Sequence, residues 1–242
     1  MSNKLSDSLS SLPLKRDGLP VRGYNAGMKQ KPGRPFEYTR QTMEFMSVTR
    51  LAVEKLESSG IIPSIIDASD IFCSCQGKII TTGMGKAGHV AKKAASTFSS
   101  LALPSCYLHP AEASHGDSGI ADADDNILVF STSGKTREVI ETIELFRKLS
   151  NGDAEHGPGK VVAITSHPES PVRDMSDLVI DIGVIQEAGH LSLAPTTSVV
   201  IMLMVSDMIA SLCAYRKGLT IEQFGLRHHS GYLGMKCRGE KI

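Results

Sequence analysis

From residue 78 onward the apolar positions alternate between two periods. Short apolar runs, most of them rich in β-branched residues, at 78–82, 105–109, 127–132, 161–165 and 178–182 have the character of buried strands. Between and after them, apolar residues recur at i, i+3 and i+4 over 87–101, 136–149 and 197–217, with a shorter segment at 171–175. Ahead of the first strand, Phe45, Val48, Leu51, Ala52 and Leu56 predict one apolar face on a helix over 38–58, and a shorter helix follows at 61–72. Strands alternating with helices predict an α/β fold: a single doubly wound, five-stranded parallel sheet with helices on both faces. Right-handed crossovers then gather the strand-to-helix turns along one sheet edge, where such folds bind ligands.

Residues 1–37 lack this periodicity. Residues 1–40 hold eight Lys/Arg against Asp7, Asp17 and Glu37, a local charge of +5 in a chain of net charge zero. A basic, flexible N-terminal tail is expected over 1–37, with the folded domain over 38–242. Without a net basic balance, nucleic acid is not an expected partner. Five cysteines, an odd number with three in apolar runs, read as reduced thiols of a cytoplasmic protein. The longest apolar stretch, 199–215, is interrupted by Ser206, Asp207 and Ser211; it reads as a core helix too short for a bilayer, so no membrane partner is expected.

The third strand ends in Ser131-Thr132-Ser133-Gly134-Lys135-Thr136 and leads directly into a helix. Ordinary capping needs one hydroxyl. Four in six residues, with a glycine, a lysine and the free N–H groups of a helix start, point instead to a phosphate cradle. Gly83-Met84-Gly85-Lys86-Ala87-Gly88 has the G-x-G-x-x-G spacing after a strand, but the following strand ends at His109 without the carboxylate a dinucleotide ribose needs. Lys86 suggests an anion at this turn; close helix–strand packing is the other reading.

His109, Glu112, His115 and Asp117 crowd one loop on the same edge and suit either proton transfer or a metal. Glu187 follows an apolar strand, where partial desolvation would favour a usable base, or it is a rim residue. Thr196, Thr197 and Ser198 open the last long helix and form a possible second phosphate donor set. His228 and His229 are either surface residues or part of a site.

Taken together, GMGKAG, HPAEASHGD, STSGKTRE, EAGHLSLAPTTS and GLRHHSGYLG resemble the sugar-isomerase (SIS) domain of arabinose 5-phosphate isomerases, in order from about Phe45 to Met235. The resemblance implies interconversion of D-arabinose 5-phosphate and D-ribulose 5-phosphate through an enediol, feeding octulosonate (Kdo) synthesis, with no redox cofactor. It implies functional roles for Lys86, His115, Glu138, Glu187 and His228. Gly85, Ser131, Ser133, Thr136, Thr196, Thr197 and Ser198 would bind substrate and its phosphate, and His109 would line the substrate or take an inhibitory metal. A homotetramer with active sites shared between subunits is implied too. The tandem cystathionine-β-synthase-type modules common in the family, and regulation through them, are expected to be absent. Lys135 stands where the family usually has Glu, Gly189-His190 replaces Cys-Pro, and His229-Ser230 replaces Pro-Gly. Other sugar phosphates, or a phosphosugar-binding regulator without turnover, are the competing functions.

Overall fold

The computed structural model describes residues 35–150 and 158–240. The tail expected over 1–37 therefore lies outside the described residues up to 34, as do residues 151–157 of the polar connection before the fourth strand. The chain divides into a unit of residues 1–38 and a larger one of residues 39–242. The sheet and its helices belong to the larger unit, apart from the start of the first helix.

Five strands form the sheet: β1 (Ile79–Gly83), β2 (Ser105–Leu108), β3 (Asn126–Ser131), β4 (Val161–Thr165) and β5 (Leu178–Asp181). All pair in parallel, in the order β2-β1-β3-β4-β5. The helices are α1 (Pro35–Ser58), α2 (Ile62–Ser74), α3 (Gly85–Ser100), α4 (Pro110–Ala113), α5 (Arg137–Ser150), α6 (Pro171–Asp174), α7 (Thr197–Arg216), α8 (Ile221–Arg227) and α9 (Gly231–Cys237). The doubly wound parallel sheet expected from the periodicity is present, and the strand ends agree with it to within a residue. Helix α1 starts three residues earlier than expected, and α4 and α9 carried no periodic signal because each is too short to show one.

The period of two along each strand sorts its side chains into two cores. Leu128, Phe130, Val162, Ile164 and Ile180 face α2, α3 and α7, while Ile127, Val129, Val161 and Ala163 face α5 and the short helices α4 and α6. Helix α5 is amphipathic in the simplest way, burying Val139, Thr142, Ile143 and Phe146 at helical spacing. The N-terminal ends of the strands are tied by two buried polar residues at the start of β3. Asp125 accepts from the Lys78 backbone (2.7 Å), the Lys78 ammonium (2.6 Å) and Asp122 N–H (2.8 Å). Asn126 donates to the Ile71 carbonyl (3.1 Å) and accepts from Lys160 N–H (2.8 Å).

Two expectations change. At 20 residues, α7 is long and apolar enough by composition to cross a membrane, contrary to the reading of a segment too short to do so. It lies in the core instead: Ile201, Met202, Val205, Ile209, Ala210 and Cys213 are fully buried in the cluster with α2 and α3. The apolar face of α1 is also narrower than its pattern. Val48 and Leu56 are buried, but Phe45 and Leu51 stay exposed at 39% and 43%.

Candidate active site

The central strand carries the hydroxyl turn. Ser131, the last residue of β3, is buried, and its Oγ accepts from Gly134 N–H at 3.1 Å. Ser133 Oγ accepts from Lys135 N–H at 3.2 Å. Each hydroxyl acts as acceptor within the turn, so its own proton remains to be donated outward. Gly134 has φ +62°, and a Cβ there would fall 2.1 Å from Ser170 Oγ, so the turn accepts only glycine without adjustment. The start of α6 is joined to the same turn by Val172 N–H donating to the Gly134 carbonyl (3.2 Å).

Over this turn lies a cleft of about 230 Å³ lined by Lys86, Ser131, Ser133, Thr136 and His167, with Pro195 and Val199 from the start of α7. Lys86 arrives from the β1–α3 turn, where Gly85 takes φ +60°. Gly88 packs so tightly that a Cβ would meet the Gly83 carbonyl at 2.5 Å. Tyr107 donates to that carbonyl (3.2 Å), and burial pushes its phenol up, keeping the O–H a donor. In the G-x-G-x-x-G stretch the glycines pack helix on strand, and Lys86 lines the cleft.

At the start of α7 the structure departs from the expected second phosphate set. Oε2 of Glu187 accepts from Thr196 N–H (2.7 Å) and Ser198 N–H (3.2 Å), and Oε1 accepts from the Ser198 hydroxyl, while the Thr196 hydroxyl donates to the Ala188 carbonyl (2.9 Å). Thr197 Oγ1 accepts from Ala188 N–H (3.1 Å). The chain's own carboxylate fills the anion position at this helix start, so Thr196 and Ser198 hold the loop carrying Glu187 and are not open donors for a phosphate, while Thr197 is fully buried.

The remaining candidates do not line the cleft. His109 caps α4, its Nδ1 accepting from Ala111 N–H (3.3 Å), and its ring meets Tyr107 edge-on at 6.1 Å. His115 is exposed in the loop beyond α4. Glu138 sits half-buried in the first turn of α5. Thr142 Oγ1 donates to the Glu138 carbonyl (2.7 Å) and lies 3.5 Å from the Pro110 carbonyl, setting the histidine loop beside that turn. His228 ends α8, stacked on Phe224 with centroids 4.0 Å apart and Nδ1 3.0 Å from the Phe224 carbonyl. Among the described residues no group of three or more His, Cys, Asp or Glu is arranged to hold a metal.

Sequence reasoning missed His167. It stands alone in Ser166-His167-Pro168-Glu169, without a motif; only the pairing of β4 beside β3 brings it to the hydroxyl turn.

Residues 73–212 match the SIS domain model. The chain belongs to the SIS-domain family. It is 34% identical over 200 residues to the arabinose 5-phosphate isomerase KdsD of Pseudomonas aeruginosa, covering 83% of this chain and 59% of that protein. To KdsD of Escherichia coli K12 it is 34% identical over 206 residues, covering 85% and 60%. The chain therefore spans about three fifths of these relatives. Among solved structures it superposes on the E. coli CFT073 protein c3406 in complex with arabinose 5-phosphate, with a TM-score of 0.74 and 32% identity, covering 81% of this chain and all of that one. The five-stranded parallel sheet with helices around it matches the SIS-fold neighbours.

Proposed function

We propose that the chain is an aldose–ketose isomerase interconverting D-arabinose 5-phosphate and D-ribulose 5-phosphate through a cis-enediol(ate). The observation that carries this reading is the cleft at the end of β3, where Ser131 and Ser133 keep donor protons beside Lys86. Kinship to the KdsD enzymes supports the choice of pentose phosphate. Phosphate anchored in the turn fixes the sugar's other end, so its binding energy serves orientation of C1 and C2. The C2 proton of the aldose leaves to a base and returns to C1, while a proton moves between the two oxygens. No electrons enter or leave, so no redox cofactor is needed.

We assign the base to Glu187, with Glu138 as the alternative. The Oε2 of Glu187 already receives the Thr196 and Ser198 N–H groups, but Oε1 receives only the Ser198 hydroxyl and keeps acceptor capacity for a proton. His228 or His115 serves the sugar oxygens, and Lys86 stabilises the enediolate by charge. Because His115, Glu138, Glu187 and His228 do not line the cleft of one chain, the reading includes a homotetramer whose subunits share active sites. The exposed Leu226, Tyr232 and Leu233 around His228 support burial of that hairpin against a neighbour. A cytoplasmic enzyme supplying octulosonate synthesis completes the proposal.

The test is a panel of pentose, hexose and heptose phosphates with C2 proton exchange followed by NMR in D2O. Fastest exchange with arabinose 5-phosphate is expected. Preference for a hexose or heptose phosphate would replace the substrate, and binding without exchange would replace the enzyme by a phosphosugar-binding regulator.

A further inference from the structure

His167 is held by its main chain and left open at its side chain. Its N–H and that of Ser166 both donate to the Thr132 carbonyl, at 3.3 and 3.1 Å, joining the end of β4 to the hydroxyl turn of β3. Its carbonyl accepts from Arg173 Nε–H. Arg173 in turn meets Asp181 at the end of β5 (2.7 Å). Three consecutive strand ends therefore fix the His167 backbone, while the ring, exposed and without a hydrogen bond among the described residues, forms part of the cleft wall. The topology gives the ring its counterpart. Strand β3 lies between β1 and β4, so Lys86 after β1 and His167 after β4 enter the cleft from opposite sides of Ser131 and Ser133.

We propose that His167 is a further substrate-binding residue, donating a ring N–H to the sugar phosphate's anion opposite Lys86. The inference rests on the reading of the β3 turn as the phosphate cradle. Serine hydroxyls supply short neutral donors from the strand end, whereas the Lys86 ammonium and the His167 ring hold the anion from either flank. A pre-ordered backbone under a free imidazole is suited to this, since little of the main-chain entropy of binding remains to be lost. A ring N–H to a phosphate oxygen is a charge-assisted bond and belongs to the stronger class of hydrogen bonds.

The experiment uses the full 242-residue chain and the variants His167→Ala, His167→Gln and His167→Arg. Because the ring is exposed and the anchoring bonds are main-chain, these variants keep the fold. Calorimetry gives Kd for inorganic phosphate, and a coupled assay gives KM and kcat for D-arabinose 5-phosphate. With His167→Ala, Kd and KM should both rise by roughly ten-fold while kcat stays within about two-fold, as expected for loss of one bond to a charged group. His167→Arg should restore both to within about three-fold of wild type, and His167→Gln should lie between. Unchanged Kd and KM in His167→Ala, a fall in kcat at constant KM, or equal losses in the Ala and Arg variants would each overturn the proposal. A wild-type protein that binds phosphate through His167 yet exchanges no C2 proton upholds the contact and sinks the isomerase reading. Full isomerisation with phosphate affinity indifferent to His167→Ala does the reverse.

Discussion

Replacing Glu187 separates its two roles because the structure assigns its oxygens different tasks. In Glu187→Gln the amide oxygen can keep the N–H donors of Thr196 and Ser198, and the amide nitrogen can donate to Ser198 Oγ, which accepts in place of donating. What disappears is the negative charge at the start of α7, a loss of about 1 kcal/mol. For a domain of this size that lowers the melting temperature by about 3 °C. Glu187→Ala removes every one of these acceptors and leaves the fully buried Ser198 without them. With a buried unsatisfied group at about 1–3 kcal/mol, the total reaches about 3 kcal/mol. A melting shift of roughly 6–12 °C is expected. Activity should break the parallel: Glu187→Gln, nearly as stable as wild type, should lose turnover and C2 exchange by about 10²-fold or more if Glu187 takes the proton. The assay is thermal melting together with loss of the C2 proton signal in D2O. Wild-type exchange in Glu187→Gln, with Glu138→Gln inactive, would refute the assignment; Glu187 would then be a helix cap only, and Glu138 the base.

Other perturbations test other parts of the fold. Ser133→Ala should weaken both inorganic phosphate and sugar phosphate by about 1–3 kcal/mol in a binding titration, since one donor to the anion is lost; unchanged affinity would move the phosphate elsewhere. Gly134→Ala combines φ +62° with a Cβ 2.1 Å from Ser170 Oγ, and should cost about 2 kcal/mol of stability in urea unfolding together with phosphate affinity. Asp125→Ala, far from the cleft, should cost about 3 kcal/mol through three lost bonds to a buried carboxylate, with KM unaltered in whatever protein remains folded. Removing residues 1–34 should leave a soluble protein with an unchanged circular dichroism spectrum, because the tail's composition offers little to bury; an insoluble product would give the tail a structural task.

What the sequence determined by itself is whatever depends on neighbours along the chain. Strands such as Val161–Thr165 are legible because a short, apolar, mostly β-branched run suits a buried strand, and α5 because Val139, Ile143 and Phe146 share one helical face. The Ser131–Ser133 turn was legible for the same reason: strand, hydroxyls and helix start are contiguous, so the local geometry already brings the hydroxyls together. Tertiary structure decided whatever depends on residues brought together by folding. The hydroxyls of Thr196 and Ser198 resemble a phosphate site in isolation, yet the loop folds back so that Glu187, nine residues before Thr196, takes the anion's place. The apolar face of α1 says that something is buried but not how much, and packing covers Val48 and Leu56 while leaving Phe45 and Leu51 in the open. The length and composition of α7 suit a bilayer or a core equally, and only the helices and sheet packed against it choose between them. His167 carries no local signal, because its place in the cleft comes from the parallel pairing of β4 with β3, and hydrogen bonding between strands well separated along the chain leaves no mark on the residues beside it.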